Sequence, residues 1–557
     1  MFHNHRMHPL NSLTAVSVLA LSTAASAQGI SPGLNLFNPN FDSNTYLVDS
    51  NGQTVHTWAF PQLPGNAVYL EPDGTLLRSK QVPGPLTFGG FGGGVQRAAF
   101  DGTLLWDFTV SNSQFIQHHD TISLPNGNVL MIVWERMTLA DAVAAGRNPA
   151  TVGGSAWIPD ALIEFRQTGL TTGEEVWRWR AMDHLIQDFD PTRANFGVVA
   201  DHPERIDINF PGNFLPAGEW IHANSVSYDP VNDQILLNIP FHNEMWILDH
   251  STTTAEAAGS TGGNSGKGGD LLWRWGNPAS HDAGGPADQR LFNQHGGKFI
   301  AEGPDAGDII VFNNQVPGPP QHSEVWQIES QADALGNFVT PPPGVPFGPA
   351  DPTWTYADPN PAALSSGFLS SAQRLPNGNT LVCSGVQAWL FEITDEGQTV
   401  WQHTNTQPAG SGAPDWVFRA ERFEHYLWTD VQEMSAAAGG TVGFDLVAGS
   451  DHAGEIYLLL GSFSGTTPGI PIDGLVLPLA FPDPYFDVTL TQPNMGVFSN
   501  TLGVLDSLGR ASASFTAPAG ALAGVAGIEI AHAFVTLDPA AASVTLASNA
   551  QILRVEP

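Results

Sequence analysis

Histidine recurs at one kind of place in this chain, just before a short apolar stretch that runs into a turn. QHHDTISLPNG carries His118 and His119, WIHANSVSYDP carries His222, and NQHGGKFIAEGPDAGD carries His295. A neutral imidazole is a nucleophile, a general base and a metal ligand near neutral pH. Several of them at one cavity would support covalent group transfer, or a His-ligated Zn, Cu or Ni with Asp120 and Asn224 as outer partners. The chain has no HExxH, no paired cysteines and no carboxylate triad, so the metal is the weaker of the two readings. His56, His202, His281 and His403 stand alone and read as hydrogen-bonded structural residues.

What must position these groups is a repeat. Six segments place apolar residues before Trp58, Trp106, Trp177, Trp273, Trp354 and Trp401. Between them lie hairpins in which apolar residues flank turns of Pro, Asn, Asp and Gly, as in AVYLEPDGTLL, TISLPNGNVLMIV, SVSYDPVNDQILL, KFIAEGPDAGDIIVF and AQRLPNGNTLVC. Strand-turn-strand units at such spacing, with almost no helical periodicity, predict an all-β chain built as a six-bladed β-propeller. Only five inner hairpins are clear, so one blade is irregular or is assembled from both ends of the domain. Inner strands of a propeller line its central channel, which brings the histidines to one mouth. After His222 and His295 the apolar residues fall at plus four and plus six (Val226 and Tyr228; Phe299 and Ala301), and the same parity selects His118.

Composition sets the limits. The start, with Arg6, an apolar run from Leu13 to Leu21 and then Ala25-Ser26-Ala27, has the order of a secretory signal, which predicts cleavage after Ala27 and a secreted or periplasmic product. That run is shorter than the roughly 20 residues a membrane span needs. With 54 acidic against 20 basic residues and a net charge of −34, nucleic acid is excluded as a partner. Cys383 is the only cysteine and reads as a buried, inert thiol. All 16 tryptophans fall at or before Trp428, and the composition then turns to small and aliphatic residues. This divides the chain into a signal (1–27), the propeller (28–435) and a C-terminal β-sandwich-like domain (436–557) of structural or adhesive role.

Taken together, HHD (His118–Asp120), IHANSVSYDPVNDQILL with NEMWILDHS, LFNQHG leading to IIVFNN, and SSAQRLPNGNTL with WLFEITDEGQTVW resemble the bacterial arylsulfate sulfotransferases over about residues 34–430. The resemblance implies an exported propeller that moves a sulfuryl group from an aryl sulfate to a phenol, with no nucleotide donor and no metal or other cofactor. It implies His295 as a nucleophile that becomes a transient sulfohistidine, His222 and Asn224 as holders of sulfuryl oxygens, and His118 or His119 as the proton-transfer group. Strand parity prefers His118 and the family's HD pairing prefers His119. One departure matters. Where that family carries an arginine to clamp the sulfuryl oxygens, this chain reads LLNIPFHNEMW and has Pro240, which cannot donate a hydrogen bond. Lys298, Arg374 and His242 are candidate replacements, and Ser370 or Ser371 could approach the site. The rival readings are a non-catalytic propeller that binds a partner or glycan, and a metal-dependent ester hydrolase at the same histidines.

Overall fold

The computed structural model describes residues 29–84, 89–151, 156–211, 218–410 and 412–557; the expected signal segment lies outside them. The chain is all-β, with short helices only. Among the described residues, the strands from Leu34 to Phe423 include six four-stranded antiparallel sheets. Five are simple meanders whose first strands are Pro64–Leu70, Phe115–Ser123, Ser225–Asp229, His295–Phe299 and Ser371–Arg374. The remaining sheet is assembled from both ends: Val417–Phe423 pairs antiparallel with Leu34–Pro39, which continues to Thr45–Val48 and Thr54–Trp58. That junction ties the last strand to the first and leaves no open edge at the seam. The six first strands touch one another in a closed circuit, a propeller-like arrangement.

The tryptophan repeat has a mechanical explanation. Each of the six stands on the outermost strand of its sheet, and each indole Nε1–H donates to the outer turn of the next sheet. Trp58 reaches the Ala99 carbonyl (3.0 Å), Trp106 that of Thr172 (3.0 Å), Trp177 the Thr252 Oγ1 (3.1 Å) and Trp273 the Gly348 carbonyl (2.8 Å). Trp354 reaches Asp395 O (3.0 Å), and Trp401 returns to Ser50 O in the first sheet (2.6 Å). A buried indole needs an acceptor as well as apolar packing, and the recurring motif supplies both at every boundary between sheets.

Leu427–Thr429 and Glu433–Ser435 already pair with strands of the C-terminal part, Gly440–Val447 and Gln551–Glu556. That part holds a four-stranded sheet and a larger mixed one. One apolar cluster runs from Leu36 and Trp58 through Trp428 to Phe444 and Phe534, so its core is continuous with the first sheets. Trp428 Nε1 donates to Gly74 O at 3.1 Å, a further indole anchor across this join. Cys383 is buried, and burial pushes its thiol up, away from reactivity. Among the described residues no helix is long and apolar enough to cross a membrane.

Candidate active site

His119 lies within the inner strand Phe115–Ser123, His222 just before Ser225–Asp229 and His295 at the start of His295–Phe299, and at each point the backbone breaks from extended geometry. His119 (φ +50°) and His222 (φ +59°) are left-handed, as is Gly296 (φ +64°) beside His295. The pairing register shifts between Gln117 and Thr121 and again between His295 and Lys298. Bulges of this kind re-aim side chains at the rims of closed β-structures, and a left-handed residue other than glycine costs of order 1 kcal/mol, retained where function requires it. Convergence therefore comes from these breaks. Simple strand parity, which favours His118, does not survive the bulge. His118 turns to the blade interior, stacked flat on Trp134 (4.1 Å, 5°), while His119 faces His222 with ring centroids 4.6 Å apart.

Each of the three facing imidazoles has its Nδ1 engaged by the protein, and among the described residues no hydrogen bond reaches any of their Nε2 atoms. His295 Nδ1 lies 2.9 Å from Asn314 Oδ1 and 3.0 Å from Asn293 O. Asn314 spends its amide hydrogens on Ser366 O (2.7 Å) and Leu369 O (2.8 Å), so its oxygen must face the imidazole. Both partners of His295 are acceptors, which assigns the proton to Nδ1 and leaves a lone pair on Nε2. Burial pushes His295 down to about 4, with His222 lowering it further and Asn314 and Asn293 opposing. It is a neutral, desolvated imidazole with an available lone pair. Its activity should fall as pH drops through about 4, when the lone pair is protonated.

Two carboxylates organise the other pair. His222 Nδ1 meets Glu219 Oε1 at 2.6 Å, and Trp134 Nε1 donates to the same oxygen at 2.8 Å. Phe241 lies flat against the His222 ring (4.4 Å, 6°). On the other side, His118 Nε2 is 3.3 Å from Asp160 Oδ1 and its Nδ1 is 2.7 Å from His119 Nδ1. The contact with Asp160 is not a hydrogen bond, and one proton is shared between the two facing Nδ1 atoms of His118 and His119. Burial, then the charges of His222, His118 and His295, hold His119 well below its ordinary value. Gly90 closes over this group. A Cβ there would lie 1.8 Å from His119 Cε1, so the loop can approach only as glycine.

The remaining expected residues divide. Asn224 is buried beside the site, but its amide donates to Gln294 O (2.9 Å) and its oxygen accepts from Asn238 (2.6 Å). It fixes the residue before His295. Lys298 is bound to Glu421 at 3.0 Å. Arg374 does not join the histidines: it stands at the far end of its strand over the Trp354 ring, on Gly378 O and Thr380 Oγ1. Ser371 Oγ accepts from Ala420 N at 3.4 Å, and Ser370 Oγ, in a left-handed residue, accepts from Gly385 N at 2.9 Å. His242 is buried among Phe210, Trp220 and Trp246. Sequence reasoning missed Glu219, Asp160, Asn314 and Arg419. Arg419 is buried with Nη2 on Asp120 Oδ2 at 2.8 Å, and Asp120 also takes Tyr69 Oη and Val226 N. Among the described residues no group of three or more His, Cys, Asp or Glu is arranged to hold a metal ion.

The rim beside the histidines is aromatic. Phe41 packs against Phe91 (6.0 Å) and Trp416 (5.8 Å), and Trp416 against Phe368 (5.0 Å). Phe91 adjoins Gly90, and Phe368 lies two residues before Ser370, whose carbonyl abuts Gly296.

Acid should loosen the whole molecule. Burial pushes His56, His295 and His425 to about 4 and His242 and His532 to about 3. Unfolded, each takes up its proton near 6.5. Across that window the unfolded chain binds more protons, so stability is lost as pH falls from about 6.5 toward 4. His222 and His250, raised by neighbouring carboxylates against the effect of burial, and Glu71, Asp120 and Asp207, raised by burial, oppose this, while His119, His281 and His403, lowered by burial, add to it. Thermal melts should show Tm dropping steadily over that range, and a flat Tm would contradict the buried neutral states.

A family model described as Arylsulfotransferase (ASST) matches residues 20–413. No curated protein matches. Among solved structures, a protein of unknown function from Bacteroides caccae is similar at 13% identity and TM-score 0.39, covering 71% of this chain and 100% of its own. A periplasmic gluconolactonase of Pseudomonas aeruginosa is similar at 11% identity and TM-score 0.36, covering 70% and 98%. Virginiamycin B lyase from Staphylococcus aureus is similar at 9% identity and TM-score 0.32, covering 68% and 85%.

Proposed function

Because this chain belongs to the arylsulfotransferase (ASST) family, we propose that it transfers a sulfuryl group from an aryl sulfate to a phenol, with His295 as the covalent nucleophile. The observation that carries this reading is the set of three buried imidazoles whose Nδ1 atoms are all tied and whose Nε2 atoms have no hydrogen-bond partner among the described residues. In the first step His295 Nε2 attacks sulfur, the bond from sulfur to the aryl oxygen breaks, and the phenolate departs with its electron pair and takes a proton from water. In the second, the acceptor phenol gives its proton to His119 Nε2 and its oxygen attacks sulfur. The N–S bond then breaks and its electrons return to His295, and His119 releases the proton to water. Donors preorganised around the non-bridging oxygens lower both barriers.

We read the ring of sheets as a six-bladed propeller over 28–435 carrying a C-terminal sandwich over 436–557. The first 27 residues support export to the periplasm or beyond. The aromatic rim supports a flat aryl group as the carrier of the sulfate. Trp416→Ala should then raise KM for an aryl sulfate several-fold while kcat changes less than about twofold, since a stacking contact contributes equally in ground and transition states.

The test is a chromogenic aryl sulfate with and without an acceptor phenol, each with and without chelator. Phenol release that requires acceptor and survives chelator supports the proposal. Chelator-sensitive release without acceptor points instead to a metal-dependent hydrolase. Absence of turnover across a panel of sulfates leaves a binding propeller.

A further inference from the structure

Pro240 leaves a charge unaccounted for. The transferred group is anionic, and the cations nearest the channel are already committed. Lys298 is held by Glu421 (3.0 Å), and Arg419 is bound to Asp120 (2.8 Å) with Glu421 at 3.8 Å. Arg374 lies at the far end of its strand. His222 is differently placed. Its partner Glu219 is fully buried, and His222 is the only cation-forming side chain paired with it among the described residues. Glu219 Oε1 takes the His222 Nδ1 and the Trp134 indole, while Oε2 is buried with no hydrogen-bond partner. A buried carboxylate is costly unless a cation faces it. Asp160, also buried, adds a second negative charge near the same ring, and Phe241 fixes the ring plane.

We propose that Glu219 holds His222 as a standing imidazolium whose Nε2–H supplies the oxygen-holding cation that a guanidinium would supply at position 240. Glu219 is thus a positioning residue, and the proposal rests on the sulfuryl-transfer reading. The groups facing His222 are Glu219 from its own loop, Asp160 and His119 from the third sheet, and His295 from the fifth; His118 stands behind His119, and the Asp120–Arg419 pair lies beside its strand. Burial disfavours the cation, but Glu219 and then Asp160 outweigh it and raise His222 above its ordinary value. The same positive charge pushes His119 and His295 toward their neutral forms. A fixed division of labour follows, with one cationic imidazole beside two neutral ones.

The experiment is an imidazole NMR titration of the full chain, wild type and E219Q, with and without inorganic sulfate, alongside pH profiles of transfer. In the wild type, His222 should titrate above 6.5, and sulfate should shift its titration further upward. In E219Q the titration should move acid by more than about one unit, the sulfate effect should vanish, and the alkaline limb of kcat/KM should move with it. A wild-type His222 that titrates below 6.5, or that ignores sulfate, overturns the proposal, and both readings survive even if E219Q fails to fold. A wild type that holds sulfate at His222 yet transfers nothing would refute the sulfuryl-transfer reading while sustaining the cation.

Discussion

His295→Ala should abolish transfer, lowering kcat by more than about 10³-fold while the fold and the binding of aryl sulfate persist. The side chain is buried and, among the described residues, only its Nε2 is without a partner, so its removal deletes the proposed nucleophile. Its loss leaves a small polar cavity beside Asn314 and costs modest stability. His119→Ala should cost less, because proton acceptance can pass to water, and the deficit should shrink with acceptors that are already ionised. Steady-state kinetics on both variants, with a melt on each, separates the two roles. Equal losses in the two would remove the distinction between nucleophile and base.

Asn314→Leu is expected to produce the next largest defect, about 10²-fold in kcat with little change in KM. Asn314, together with the Asn293 carbonyl, decides which nitrogen of His295 carries the proton. Its amide hydrogens are committed to Ser366 and Leu369, so its oxygen can only accept, and His295 must present a bare Nε2. Leucine removes the shorter of the two acceptors and leaves only the Asn293 carbonyl, which weakens the preference against the tautomer whose Nε2 bears hydrogen and cannot attack. It also strands the buried Leu369 carbonyl, at about 1–3 kcal/mol, while the Ser366 carbonyl keeps Ser323 Oγ. Tm should therefore fall together with kcat. Loss of Tm with kcat intact would show that Asn314 serves the fold alone.

The repeat was legible because its signals are local. Each hairpin turn and each outer-strand tryptophan declares itself within about ten residues, and the indoles proved to bridge neighbouring sheets around the whole ring. The seam was legible only as an alternative, since Val417–Phe423 and Leu34–Pro39 lie at opposite ends of the propeller sequence. The histidines stood out through their common slot. Their supports did not, because Glu219, Asp160 and Asn314 lie outside any repeated motif and become meaningful only through distance. Parity failed at His118 and His119 because it assumes an unbroken strand, whereas the bulge and the left-handed residue turn the second imidazole to the mouth. Arg374 misled for a related reason: position along an inner strand does not reveal at which end of the channel a side chain falls.

The most direct test of a covalent His295 is to mix the protein with an aryl sulfate in the absence of acceptor, quench at alkaline pH and map the peptides by mass spectrometry. The peptide that contains His295 should gain the mass of one SO3 group, stoichiometric with the first burst of phenol, and should lose it when a phenol is added. Turnover with no such adduct, or an adduct on His119 or His222 in its place, would contradict the account.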